Sequence, residues 1–181
     1  MKLPAFITPN FITVMRLLFV PVGAYTLFKN GGDDPTWQYI SWCVFFILGL
    51  SDVLDGKLAR SRGAITKFGE FLDPVADKFM LGTAMISLSI LGTMPWWITT
   101  VILIREVGIT IFRLSVIKSG VIPANKGGKI KAVMQNFGTG FYVLPLSESL
   151  YWFRDGFMYI AVVLTIVTGA YYVKSAFTHT A

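Results

Sequence analysis

Between Ser51 and Lys78 the chain reads SDVLDGKLARSRGAITKFGEFLDPVADK. Four aspartates punctuate this stretch: Asp52 and Asp55 lie three residues apart, Asp73 and Asp77 four apart. Residues at those spacings share one face of a helix, so each pair sets two carboxylates side by side. An apolar run reaches Asp52 from Trp37, and another leaves Asp73 towards Leu91. The Ser61–Phe68 connection is short, which makes the two helices antiparallel neighbours and brings all four carboxylates to one depth.

Outward from this stretch the chain stays apolar. Of its 181 residues, 54% are hydrophobic and only 14% charged, where a soluble domain has about a quarter charged. A hydrocarbon core of about 30 Å is crossed by about 20 apolar helical residues. Six stretches meet that requirement: Phe11 to Phe28, Trp37 to Arg60, Asp73 to Leu91, Pro95 to Ile117, Ile130 to Leu146 and Phe153 to Phe177. The expected fold is therefore all-α, a polytopic membrane protein of six transmembrane helices forming a single domain over residues 1–181.

Charge sets the orientation. Arg62, Lys67, Lys118, Lys126, Lys129 and Lys131 follow the second and fourth spans. The other loops carry only Lys29 and Arg154, set against Asp33, Asp34, Glu148 and Asp155. The excess of Lys and Arg places both termini and the aspartates on the cytoplasmic side. Trp37, Trp96, Trp97 and Trp152 fall at the opposite interface, where indole rings concentrate. The net charge of +6 is thus mainly a topology signal, and no basic domain remains outside the spans to bind nucleic acid. The lone Cys43 excludes an intrachain disulfide framework, and His179 reads as a solvated tail residue. The opening residues lack a small-residue cleavage site and read as the start of the first span, not as a signal peptide.

Four carboxylates in a partly desolvated site repel one another. Hard divalent cations relieve that repulsion, which points to Mg²⁺ or Mn²⁺ and away from metals that prefer His and Cys. Gly56, Ala59 and Gly69 leave room for a bulky ligand, and Arg60 offers a planar fork for phosphate oxygens. Aspartates that merely cap two membrane helices would not need small residues at matching places. Ionisable groups at membrane depth are functional by default.

Asp52, Asp55, Gly56, Ala59, Arg60, Gly69, Asp73 and Asp77 match D-x₂-D-G-x₂-A-R-x₈-G-x₃-D-x₃-D at every specified position. This resembles the CDP-alcohol phosphotransferase family. The resemblance implies two metal ions held by the four aspartates. It also implies CDP contacts from Gly56, Arg60 and Thr66, Asp77 as the base that takes the acceptor's hydroxyl proton, and a homodimer; the small residues Ala59 and Gly69 complete the expected CDP-lipid site. Pro9 to Arg16 (PNFITVMR), Arg105-Glu106-Val107-Gly108 and Gly128-Lys129-Ile130-Lys131 are similar to the phosphatidylglycerophosphate synthase branch. That likeness adds Asn10 and Thr13 to the CDP-lipid contacts. It implies CDP-diacylglycerol and glycerol 3-phosphate as substrates and a bacterial inner or plasma membrane as the location. Ala132 departs from the threonine common in that branch.

An anionic acceptor has independent support. Arg105 lies in mid-span and needs a polar partner, Arg113 lies two turns nearer the cytoplasm, and Lys129 and Lys131 open the fifth span at the depth of the aspartates. These four residues are the expected phosphate contacts. An alternative pairing of Glu106 with Arg113, seven residues on, uses the same helix face. The competing functions are the same transfer to serine, inositol phosphate or a second lipid; a cation transporter using the acidic cluster; and a non-catalytic scaffold. A transporter has no use for Gly56, Ala59 and Arg60 at their spacing.

Overall fold

The computed structural model describes the backbone of residues 9–62, 67–116 and 126–179, and the side chains of residues 11–51, 69, 72–112 and 127–173. Six α-helices account for nearly all of the described residues, which contain no strand. They are α1 (Pro9–Phe28), α2 (Pro35–Arg62), α3 (Lys67–Ile90), α4 (Trp96–Val116), α5 (Lys126–Val143) and α6 (Tyr151–His179). Short 3₁₀ turns at Lys29–Gly32 and Glu148–Leu150 precede α2 and α6.

All six apolar stretches became helices, but the helices do not stop where the apolar residues stop. The largest difference is α3, which begins at Lys67 and not at Asp73. Hydropathy marks the segment that avoids water, whereas backbone hydrogen bonding continues through the polar turns Lys67–Leu72. Pro74 sits inside α3, where it forgoes one bond of the ladder. Similarly, α5 starts at Lys126, four residues before the expected Ile130, and ends at Val143.

The chain divides into two compact units. The first holds residues 1–91 and 143–145, in which α1 packs along both α2 and α3. Val20, Leu48 and Met80 form a buried cluster there, with Val44 and Phe45 against it. Small residues set the helix spacing. A Cβ on Gly23 would lie 3.0 Å from the Phe45 ring, and one on Gly49 3.8 Å from Met80 Cε. The turn from α1 to α2 uses left-handed backbone at Asn30 (φ 53°), Gly31 (φ 79°) and Gly32 (φ 88°), which glycine adopts without strain. Beside it, the Asn30 amide donates to Asp34 Oδ2 at 2.8 Å and holds that carboxyl below the usual carboxylate range.

The second unit holds residues 92–142 and 146–181, in which α4 packs on α6. Ile98, Ile102 and Met158 are fully buried. Gly138 of α5 admits Met158, whose Cε would lie 3.0 Å from a Cβ added there. At the start of α6, Arg154 is stacked 4.3 Å from the Tyr142 ring and 4.0 Å from the Tyr151 ring. Its Nε and the Tyr142 hydroxyl both donate to Asp155 Oδ1, at 2.8 and 2.7 Å. One carboxylate at the α5–α6 corner thus accepts from both the buried Tyr142 hydroxyl and the partly buried Arg154.

Two segments among the described residues are long and apolar enough to cross a membrane, Phe11–Gly32 and Glu148–Val173. Large apolar side chains are exposed on both units, among them Leu18, Ile47, Ile104 and Val163. A water-facing surface rarely carries apolar area on this scale.

Candidate active site

In the first unit, α1 delivers its N-terminal half to the aspartate helices. Thr13 is buried and donates from Oγ1 to Asp73 Oδ1 at 2.8 Å, joining residues sixty positions apart. A hydrogen bond to a charged acceptor is worth about 1.5–3 kcal/mol. One turn further along α1, Arg16 is 1% exposed and directs Nε to Ser51 Oγ at 3.4 Å. Ser51 precedes Asp52 on α2 and donates its own proton to Leu48 O at 2.7 Å. A buried guanidinium therefore reaches the residue that immediately precedes Asp52, a contact that the motif alone does not reveal.

Asp73 and Asp77 lie one turn apart on α3, both half-buried, with the fully buried Ala76 between them. Gly69 is buried one turn before Asp73. The Val20–Leu48–Met80 cluster lies close along the same helices: Leu48 is four residues before Asp52 and Met80 three after Asp77. Packing thus fixes the helix ends that carry the carboxylates. The side chains of Asn10, Asp52, Asp55, Gly56, Ala59 and Arg60, and all of Thr66, lie outside the described residues. Among the described residues no three of His, Cys, Asp and Glu gather to hold a metal. The part that is described fits a hard cation: two carboxylates one turn apart, one oriented by a hydroxyl, with no nitrogen or sulfur donor between them.

In the second unit, two of the four expected acceptor residues, Arg105 and Lys131, join a polar network among three helices. Glu106 Oε1 accepts from Arg105 Nη1 at 3.1 Å, from Gln135 Nε2 at 3.5 Å and from Lys131 Nζ in a short ion pair. Lys131 is 4% exposed. Gln135 also donates to Thr165 Oγ1 at 2.9 Å, and Arg105 Nη2 donates to Thr168 Oγ1 at 3.2 Å. Gly169 leaves space for that arginine: a Cβ there would lie 3.3 Å from Arg105 Cγ. Lys129 is exposed, and the side chain of Arg113 lies outside the described residues. Glu106, Gln135, Thr165 and Thr168 were not among the expected site residues. Their signal in the sequence was polarity inside apolar runs, with Thr165 and Thr168 one turn apart on α6.

A family model described as CDP-alcohol phosphatidyltransferase matches residues 6–167. A probable phosphatidylglycerophosphate synthase of Mycobacterium tuberculosis is 46% identical over 167 residues, covering 92% of this chain and 80% of that one. The CDP-diacylglycerol–glycerol-3-phosphate 3-phosphatidyltransferase of Bacillus subtilis is 33% identical, covering 89% and 90%. Among solved structures, the phosphatidylinositol phosphate synthase of M. tuberculosis in apo form has a TM-score of 0.69 at 23% identity, covering 96% of this chain and 90% of that one. That likeness establishes the shared fold. The same synthase has been solved with CDP-DAG bound and, separately, with manganese and citrate.

Proposed function

The chain belongs to the CDP-alcohol phosphatidyltransferase family, and from that premise we propose that it transfers the phosphatidyl group of CDP-diacylglycerol to glycerol 3-phosphate, releasing CMP. One observation carries the reading: the Thr13–Asp73 hydrogen bond. It ties the segment resembling phosphatidylglycerophosphate synthases, Pro9 to Arg16, to the aspartate signature. The names and identities of the M. tuberculosis and B. subtilis relatives support the acceptor.

In this reading Asp52, Asp55, Asp73 and Asp77 hold two divalent cations, Mg²⁺ or Mn²⁺. Bound there, the cations would neutralise charge on the diphosphate. Asn10, Thr13, Gly56, Ala59, Arg60, Thr66 and Gly69 receive the CDP-lipid. Arg105, Arg113, Lys129 and Lys131 bind the acceptor's phosphate. A hydroxyl oxygen of glycerol 3-phosphate forms a bond to the phosphorus that carries diacylglycerol, and the bond from that phosphorus to CMP breaks. The hydroxyl proton passes to Asp77. A carboxylate is a weak base, so this transfer belongs late, when bond formation has made the hydroxyl acidic.

The proposed setting is a bacterial inner or plasma membrane. The chain crosses it six times as one domain, with the termini and active site on the cytoplasmic side, and works as a homodimer. The exposed apolar side chains and the two long apolar segments support the membrane part.

The test is CMP release from CDP-diacylglycerol by the purified chain, offered glycerol 3-phosphate, serine, inositol phosphate and glycerol in turn. Release is expected with glycerol 3-phosphate, lost on chelation and restored by Mg²⁺ or Mn²⁺. Release only with an uncharged alcohol rejects the acceptor. Asp77→Asn is expected to lower turnover by about 10²-fold or more while CDP-diacylglycerol still binds. Near-normal turnover removes Asp77 as the base.

A further inference from the structure

We propose that Glu106 is a positioning residue that fixes the Arg105–Lys131 cation pair for an incoming phosphate, an inference that rests on the acceptor reading above. Three donors from two helices converge on its Oε1: Arg105 Nη1 from α4, and Lys131 Nζ and Gln135 Nε2 from α5. Helix α6 braces the periphery, because Thr165 holds Gln135 and Thr168 holds Arg105. Thr165 and Thr168 are themselves anchored to the carbonyls of Ala161 and Leu164, each at 2.6 Å. The carboxylate is therefore the hub through which three helices agree on where two cations sit.

Charge and burial decide what the hub does. Among the described residues two cations face one carboxylate, a net charge of +1 that favours an anion. Lys131 is almost fully buried, and a buried ammonium without a counter-charge is too costly to keep in place. Removing Glu106 relieves a repulsion felt by the phosphate, but it also takes from Lys131 a carboxylate with which the buried ammonium is ion-paired. The second effect wins because an ammonium that leaves or loses its charge contributes no attraction at all. Arg105 shows how closely the site is fitted: among the described residues its Nε is buried without a hydrogen-bond partner, and a Cβ at position 169 would press against its Cγ at 3.3 Å. Such a guanidinium has little freedom to take over from Lys131.

The experiment uses the full chain in detergent and two readouts. Inorganic phosphate is the probe for binding, followed as the rise it causes in the thermal unfolding midpoint. The KM for glycerol 3-phosphate is the kinetic readout. For Glu106→Gln the expected result is about tenfold weaker phosphate binding and an equal rise in KM, about 1.4 kcal/mol, with kcat changed less than about threefold. Because Glu106 acts through Lys131, the double variant Glu106→Gln/Lys131→Met should bind phosphate no more weakly than Lys131→Met alone. Additive losses, or phosphate binding unchanged or tighter in Glu106→Gln, overturn the proposal. Should Glu106→Gln fail to fold, Glu106→Asp keeps the charge but withdraws the oxygen, and unchanged phosphate affinity there overturns it equally. If wild type binds phosphate through this hub yet releases no CMP with glycerol 3-phosphate, the acceptor reading fails and the role of Glu106 stands.

Discussion

Thr13 shows how much one hydroxyl can decide. It is buried and donates to Asp73, so one oxygen of that carboxylate is already oriented. Thr13→Val keeps the shape and removes the donor. The expected outcome is a fall in kcat/KM of about tenfold, a higher Mg²⁺ or Mn²⁺ concentration for half-maximal CMP release, and substantial recovery in Thr13→Ser. Unchanged metal dependence in the valine variant would show that the bond serves packing alone. The sequence pointed to Thr13 only through the likeness of Pro9 to Arg16 to known synthases. Its partner, sixty residues away, has no local signature, because such a contact exists only once α1 has packed on α3. Glu106 is the converse case. Its spacing offers a pairing with Arg113, whose side chain lies outside the described residues, whereas the described contacts are to Arg105, Lys131 and Gln135, two of them from another helix. Helical spacing reports neighbours within one helix and says nothing of a cation arriving from the next.

At the scale of the helix, the aspartates depend on how closely α1 and α2 approach. Gly23 carries three loads: the Phe45 ring against its Cα face, and the Thr26 and Ser41 hydroxyls on its carbonyl, both at 2.8 Å. Gly23→Leu must push Phe45 away from the Val20–Leu48–Met80 cluster, and such overpacking costs about 1–3 kcal/mol. A lower unfolding midpoint and reduced CMP release should follow together, since α2 carries the first aspartate pair. Gly156 is the comparison, because nothing lies within 4 Å of a Cβ there and it sits inside α6. Gly156→Ala should leave the midpoint unchanged or raise it slightly, by about 0.5–1 kcal/mol in stability. Equal effects at the two positions would mean that helix propensity, not close approach, governs this fold. The existence of all six helices was legible from apolar runs, and their ends were not. At Lys67–Leu72 the polar residues Lys67 and Glu70 ended the hydropathic signal while the helix continued, which is why Gly69, Asp73 and Asp77 share one helix.

For the whole molecule, the surface carries the argument. Ile104, Leu18 and Ile47 are 67%, 64% and 62% exposed, values expected of side chains whose solvent is lipid. Trp152 is 73% exposed and Trp96 and Trp97 about half, as suits rings at the headgroup level. Composition made this surface legible, since 54% hydrophobic residues cannot all enter the core of a 181-residue chain. The side of the membrane on which each loop lies rests instead on the asymmetry of Lys and Arg, and it is testable through the lone cysteine. With Cys43→Ser as background, a cysteine replacing Asp33 should react with a membrane-impermeant maleimide in intact cells. A cysteine replacing Lys67 should react only after permeabilisation. The reverse pattern would invert the topology and put the aspartates on the wrong side for a cytoplasmic nucleotide. Equal labelling in intact cells would remove the span between the two positions. The expected pattern requires α2 to cross the bilayer with the aspartate signature at its cytoplasmic end, where CMP can leave into water while the lipid product stays behind.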